Sequence, residues 1–158
     1  MNQPSRVNQQ LSKEVFIVHG HDESAKEAVA RLIEKVGLKA LILHEKPNKG
    51  RTIIKKFEDY SNVGFAVVLL TPDELGAELK DSKNLKPRAR QNVILELGFF
   101  LGKLGFEKVC ALHKGNIELP SDYDGVIFIP YDDQDGWQLK LLKELKAVGY
   151  DVNLNDIV

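Results

Sequence analysis

The sequence predicts an α/β domain built on a doubly wound parallel sheet. Three observations carry that reading. Short apolar runs recur, amphipathic stretches at helical spacing separate them, and the two alternate from residue 14 to residue 148. Apolar runs of this length fit strands buried on both faces. Parallel neighbours need crossovers, which the intervening helices supply.

The first strand is expected at residues 15–20 (VFIVHG). Ala25, Ala28, Val29, Leu32, Ile33 and Val36 then mark a helix, with Asp22 or Ser24 as N-cap and Gly37 as terminator. Residues 40–45 (ALILHE) form a second strand and 46–51 a loop. Thr52 caps a helix expected to bury Ile53, Ile54, Phe57 and Tyr60. The most apolar run, 63–72, belongs at the sheet centre. The polar stretch 73–87 reads as an irregular excursion. A helix over 88–104, strands at 108–113 and 125–130, and a closing helix with Trp137, Leu141, Leu142, Leu145 and Val148 complete the chain. Five strands suit the flavodoxin-like order 2-1-3-4-5.

Composition narrows the function. The 158 residues are 43% hydrophobic and 28% charged, an ordinary globular balance. A net charge of −1 argues against a direct nucleic-acid grip, which is usually strongly basic. The apolar runs fall far short of the ~20 residues of a membrane span, and no secretion signal opens the chain. One cysteine suits a reducing compartment, so a cytoplasmic protein is expected. Residues 1–13 read as a flexible tail or a linker from an upstream region, and 14–158 as one domain.

Ligands of such sheets bind beyond the carboxyl ends of the strands, where strand order reverses. His19, His21, His44 and His113 all fall on that edge. Histidine also tolerates strand ends without a function. The run His19-Gly20-His21-Asp22 invites a metal, but no further ligand stands at a recognisable spacing, so no metal is assigned. An anion is the better guest, since Gly20 lets backbone approach closely and a helix starts beside it. After the second strand, the three basic residues Lys46, Lys49 and Arg51, with the helix start at Thr52, could hold phosphates, or could be a solvated basic turn.

Glu96 is the main anomaly, the one ionisable group between Arg90 and Lys103. An apolar helix like this one should be buried nearly all round. A buried carboxylate must be paired or have a raised pKa. Asn92 stands one turn before it on the same face. Two readings stay open: a site carboxylate, or a fold-locking ion pair with Arg51, Arg88 or Arg90.

The segments FIVHGHD, LHEKPNKGRTIIKKFEDYS, FAVVLLTPDE and RARQNVILELGFFLGKLG resemble the TIR-like domain of bacterial predicted nucleotide-binding proteins, relatives of Toll/interleukin-1 receptor domains. The resemblance runs from residue 15 to residue 148. It implies a flavodoxin-like fold and, for many bacterial members, cleavage of NAD at the nicotinamide–ribose bond, in some with cyclisation. Glu96 matches the family's catalytic glutamate. His19, Gly20, His21, Asp22, His44, Arg51, Thr52 and Asn92 are then expected to bind the substrate, with NAD as substrate and no cofactor. The resemblance also implies oligomers on activation, an upstream sensor region and a role in antiphage defence. Some members are instead non-catalytic nucleotide-binding or TIR–TIR interaction modules.

Overall fold

The computed structural model describes residues 11–45, 47–121 and 124–157. Of the tail expected at 1–13, residues 1–10 lie outside the described residues, as does Lys46 of the basic loop. The elements are β1 (Glu14–Val18), α1 (Glu23–Lys35), β2 (Lys39–Ile42), α2 (Ile53–Asp59), β3 (Phe65–Leu70), β4 (Glu74–Gly76), β5 (Lys86–Arg88), α3 (Gln91–Leu104), β6 (Val109–His113), β7 (Ile127–Pro130) and α4 (Gly136–Ala147). Five strands pair in parallel in the order β2-β1-β3-β6-β7. With β4 and β5 set apart as a separate pair, this is the expected order 2-1-3-4-5.

Alternation along β1 shows why the sheet is covered twice. Val15 and Ile17 pack with α1 and α4, whereas Phe16 and Val18 pack with α3 and the Phe57 side of α2. Every residue of β3 is buried, as its unbroken apolar run requires. Asp22 caps α1 by accepting from the Ala25 N–H at 2.9 Å. Gly37 follows the helix at φ +85°, where a side chain would be strained.

Four expectations need correction. The second strand ends at Ile42, and residues Leu43–Glu45 turn as a 3-10 helix that carries His44 past the sheet. Ile53 and Ile54 are each 80% exposed rather than buried. With only seven residues in α2, its last turn alone reaches the sheet, where Phe57 meets Phe16 at 5.5 Å and Phe100 at 5.4 Å between ring centres. The excursion is not wholly irregular, because β4 and β5 form a short antiparallel pair within it. Three-residue strands, one holding Pro87, leave no alternation to read.

The helix expected from residue 88 starts at Gln91, and it is not buried all round. Val93, Leu97, Phe100 and Leu101 face the sheet, but Leu95 is 73% exposed and Phe99 is also open. An apolar sequence here covers both a core face and an outer face.

Tyr150 donates a hydrogen bond to the Ser12 carbonyl, tying the segment before β1 to the chain after α4. Gly64 makes room for that bond: a Cβ there would stand 2.1 Å from the Tyr150 hydroxyl and 2.2 Å from the Ser12 carbonyl oxygen. Gly64→Ala should therefore destabilise the domain by about 1–3 kcal/mol. Thermal melting should show a fall of several degrees relative to the parent protein.

Candidate active site

Parallel strands place all their carboxyl ends on one edge, and a cleft of about 150 Å³ opens there. Phe16, Ile17, Val18 and His19 of the β1 segment form its floor. Leu43 and His44 of the 3-10 turn and Ile53 of α2 form one wall, and Arg90, Asn92, Val93 and Glu96 of α3 form the other. The floor is mainly apolar, and polar groups converge over it from both walls, the usual make-up of a small-molecule site.

Glu96 dominates the electrostatics. Burial pushes its carboxyl up to about 7, and the nearby Arg90 charge offsets this only in part. Among the described residues Glu96 has no hydrogen bond or ion pair. The candidate partners are elsewhere: Arg51 Nη1 bonds Asp59 at 2.9 Å and Arg88 Nε bonds Glu74 at 3.0 Å. Arg90 holds the N-cap position of α3, where the helix dipole disfavours a cation.

The two histidine rings of the cleft meet edge to face, 5.4 Å between centres. His19 Nδ1 lies 2.8 Å from the Gly20 carbonyl oxygen. Burial, with the Lys26 and His44 charges, holds His19 below its ordinary pKa despite that hydrogen bond.

A larger hollow of about 740 Å³ lies between the β4–β5 pair, the start of α3 and residues 118–121. Lys80, Lys86 and Arg88 there face Glu78, Asp81 and Glu118, and no candidate site residue lines it. Its charges balance, and nothing in it is poised like Glu96. The small cleft is the better candidate.

Residues 14–133 match the family described as CAP12/Pycsar effector protein, TIR domain. The chain belongs to this family. Curated relatives include YuaY of Escherichia coli (strain K12), 52% identical over 140 residues, covering 88% of this chain and 46% of YuaY. Protein tirC of Dictyostelium discoideum is 37% identical over 142 residues, covering 84% of this chain and 67% of tirC. Pycsar effector protein XpPycTIR of Xanthomonas perforans is 34% identical over 90 residues, or 46% of this chain and 30% of that protein. The chain thus spans less than half the length of YuaY.

Of the residues singled out in this TIR domain's sequence, His19, His44, Asn92 and Glu96 share the cleft. The others serve the surrounding loops. Gly20 is close-packed, with its missing Cβ replaced by the Asp73 carboxylate, whose Oδ2 would lie 1.9 Å away. The same oxygen accepts from the His21 N–H at 3.2 Å and the Thr71 hydroxyl at 2.7 Å. Asp22 caps α1 and pairs with Lys114 at 2.6 Å. Burial opposes its charge, but the Lys114 and Ala25 hydrogen bonds hold its carboxyl below the ordinary range. Thr52 caps α2 by accepting from the Lys55 N–H at 3.1 Å. Arg51 folds back onto Asp59, Tyr60 and the carbonyls of Pro47 and Asn48.

Arg90, Leu43 and Ile53 also line the cleft, beyond the ligand contacts that the sequence suggests. For Arg90 a signal was present, a cation at the very start of a helix. No group of three or more His, Cys, Asp or Glu among the described residues is placed to hold a metal ion.

The raised Glu96 pKa makes a stability prediction whose sign separates the two readings. The folded state holds this proton more tightly than the unfolded one. The cost of ionising it is therefore absent below about pH 4.5, grows up to about 7 and stays constant above. Glu96→Gln should then leave stability unchanged at pH 4.5 and raise it at pH 8 by about 1–2 kcal/mol after allowance for partial solvent access, read as a higher melting point. A fold-locking ion pair would produce the opposite result, a lower melting point at pH 8.

Proposed function

We propose that the domain cleaves the nicotinamide–ribose bond of NAD, as the effector part of a bacterial antiphage system. The observation that carries this reading is Glu96, a carboxylate without a protein partner among the described residues, set in a small cleft with an apolar floor at the carboxyl edge of the sheet. Supporting it are membership of a TIR effector family and relatives named as Pycsar effectors.

The chemistry suits one carboxylate. The pyridinium of NAD is a cationic leaving group. When the glycosidic bond breaks, its electron pair goes to the ring nitrogen and leaves neutral nicotinamide. The ribosyl carbon becomes oxocarbenium-like, and water captures it with release of a proton. Ionised Glu96 stabilises the developing positive charge through space, as glycosidase carboxylates do. No acid is needed at the leaving group. Asn92, one turn away, can hold the ring amide or a ribose hydroxyl. Arg90 takes the phosphate role expected of Arg51, because the Arg51 guanidinium already has protein acceptors.

A drug-sized ligand fills about 300 Å³ or more, so the 150 Å³ cleft takes one end of a dinucleotide. Exposed Ile53, Ile54, Leu95 and Phe99 are a surface on which a second copy could complete the site. An upstream sensing region would control that assembly.

Incubation of the concentrated protein with NAD, with products resolved by chromatography, should yield nicotinamide. Glu96→Gln should cut the rate about a hundredfold to a thousandfold, the scale of one lost preorganised electrostatic contact. Release by this variant at the parent rate would remove Glu96 from the mechanism. The kcat/KM should rise with pH through about 7 and level off above, because the carboxylate form is the active one. Specific activity should increase with protein concentration, and a constant value from dilute to concentrated solution would point to a self-sufficient monomer.

A further inference from the structure

His19 supplies a directional clue in the same cleft. A carbonyl oxygen only accepts, so the contact between His19 Nδ1 and the Gly20 oxygen places the ring proton on Nδ1. In the uncharged ring Nε2 then carries a lone pair and no proton. The surroundings keep the ring uncharged near pH 7. Burial disfavours the imidazolium, the Lys26 and His44 charges add to this, and Glu23, the nearby counter-charge, is already paired with Lys26 at 2.5 Å. The His44 ring centre lies 5.4 Å from that of His19, edge to face, and Asn92 and Glu96 share the cleft.

We propose that His19 Nε2 accepts a hydrogen bond from the carboxamide N–H of nicotinamide, and so selects the amide over the acid of the same ring. This rests on the NAD-cleaving reading and assigns the base-recognition step within it. The amide offers both a donor and an acceptor, whereas nicotinate offers only acceptors. Nicotinate would set lone pair against lone pair at Nε2 and bring a second negative charge close to Glu96. Asn92 alone could not discriminate, because its own amide turns to suit either group. The cleft is too small for a whole dinucleotide but has room for one ring. A ribose hydroxyl could also donate to Nε2, but it would leave amide and acid equally acceptable.

Two measurements on the full chain test the assignment. In imidazole ¹⁵N–¹H spectra, His19 should show the Nδ1–H tautomer. Its Nε2 signal should move on adding free nicotinamide and stay in place with nicotinate. In kinetics, kcat/KM for NAD should exceed that for nicotinic acid adenine dinucleotide by roughly tenfold to a hundredfold, the worth of one buried polar contact left unmade. His19→Asn keeps an N–H close to the Nδ1 position and lacks the Nε2 acceptor, so the preference should shrink to about threefold or less. His19→Gln reaches the Nε2 position with an amide that can turn to suit either group, so it too should lose most of the preference.

An Nε2–H tautomer, an unmoved Nε2 signal, or a normally melting His19→Asn protein with full preference would overturn the assignment. Cleavage of NAD and its acid analogue at equal efficiency would overturn it while leaving the proposed reaction standing. A nicotinamide-specific Nε2 shift in a protein that never cleaves NAD would do the reverse, supporting the subsite and ending the reaction assigned to it.

Discussion

The site depends on a sheet that is buried on both faces. With Phe65–Leu70 wholly enclosed, β3 can have neighbours only through crossover helices, so β1, β2, β3, β6 and β7 all run the same way. Their carboxyl ends must then share one edge, and every loop that leaves them is available to a ligand there. Strand order reverses at β1 and β3, where the chain departs in opposite directions and a crevice is unavoidable. α3 packs over β3 on one face through Val93, Leu97 and Phe100. Its outer flank is thereby aimed at that crevice, and Glu96 is on it.

Glu96 occupies the position at some cost. A carboxyl held at about 7 without a protein partner among the described residues lowers stability at neutral pH, whereas a glutamine or a leucine would not. Other charges near this edge are paired, as in Asp22 with Lys114 and Arg51 with Asp59. An unpaired carboxylate in a cleft at the strand edge is the pattern of a functional group, since such sites tolerate local destabilisation that the fold recovers elsewhere.

Much of the fold was legible because its signals are local and strong. The β3 run, the α1 periodicity with its Asp22 cap, and the Gly37 stop each follow from a few adjacent residues. What was not legible depends on contacts distant in sequence. The two isoleucines opening α2 look like core residues, and only the length of that helix relative to the sheet leaves them in solvent. The β4–β5 pair has three residues a side and no pattern to find. In the site, Glu96 and Asn92 were readable from spacing on one helix, and His19 and His44 from their strand ends. Arg51 was misleading because the sequence advertises its charge but not its partners: Asp59 and Tyr60 lie eight and nine residues on, brought back only by α2. Gly20 misled similarly, since its close approach is to Asp73, 53 positions away by residue number.

The division of labour between Arg51 and Arg90 follows from these partners. Each nitrogen of the Arg51 guanidinium has an acceptor, Asp59 or one of two backbone carbonyls, and its Cζ lies 5.1 Å from the Tyr60 ring centre. It shapes the loop from residue 47 to α2 and leaves little donor capacity for a phosphate. Arg90 stands where the α3 dipole repels it, with its charge felt by Glu96 but without a bond to it. A cation in such a position is least costly when a mobile anion is present. In the proposed reaction the substrate brings both signs: a pyridinium that favours ionised Glu96, and a pyrophosphate that relieves Arg90. Binding would thus satisfy two groups that have no partner among the described residues of the free TIR domain, and the ionised glutamate that binding favours is the form the chemistry uses.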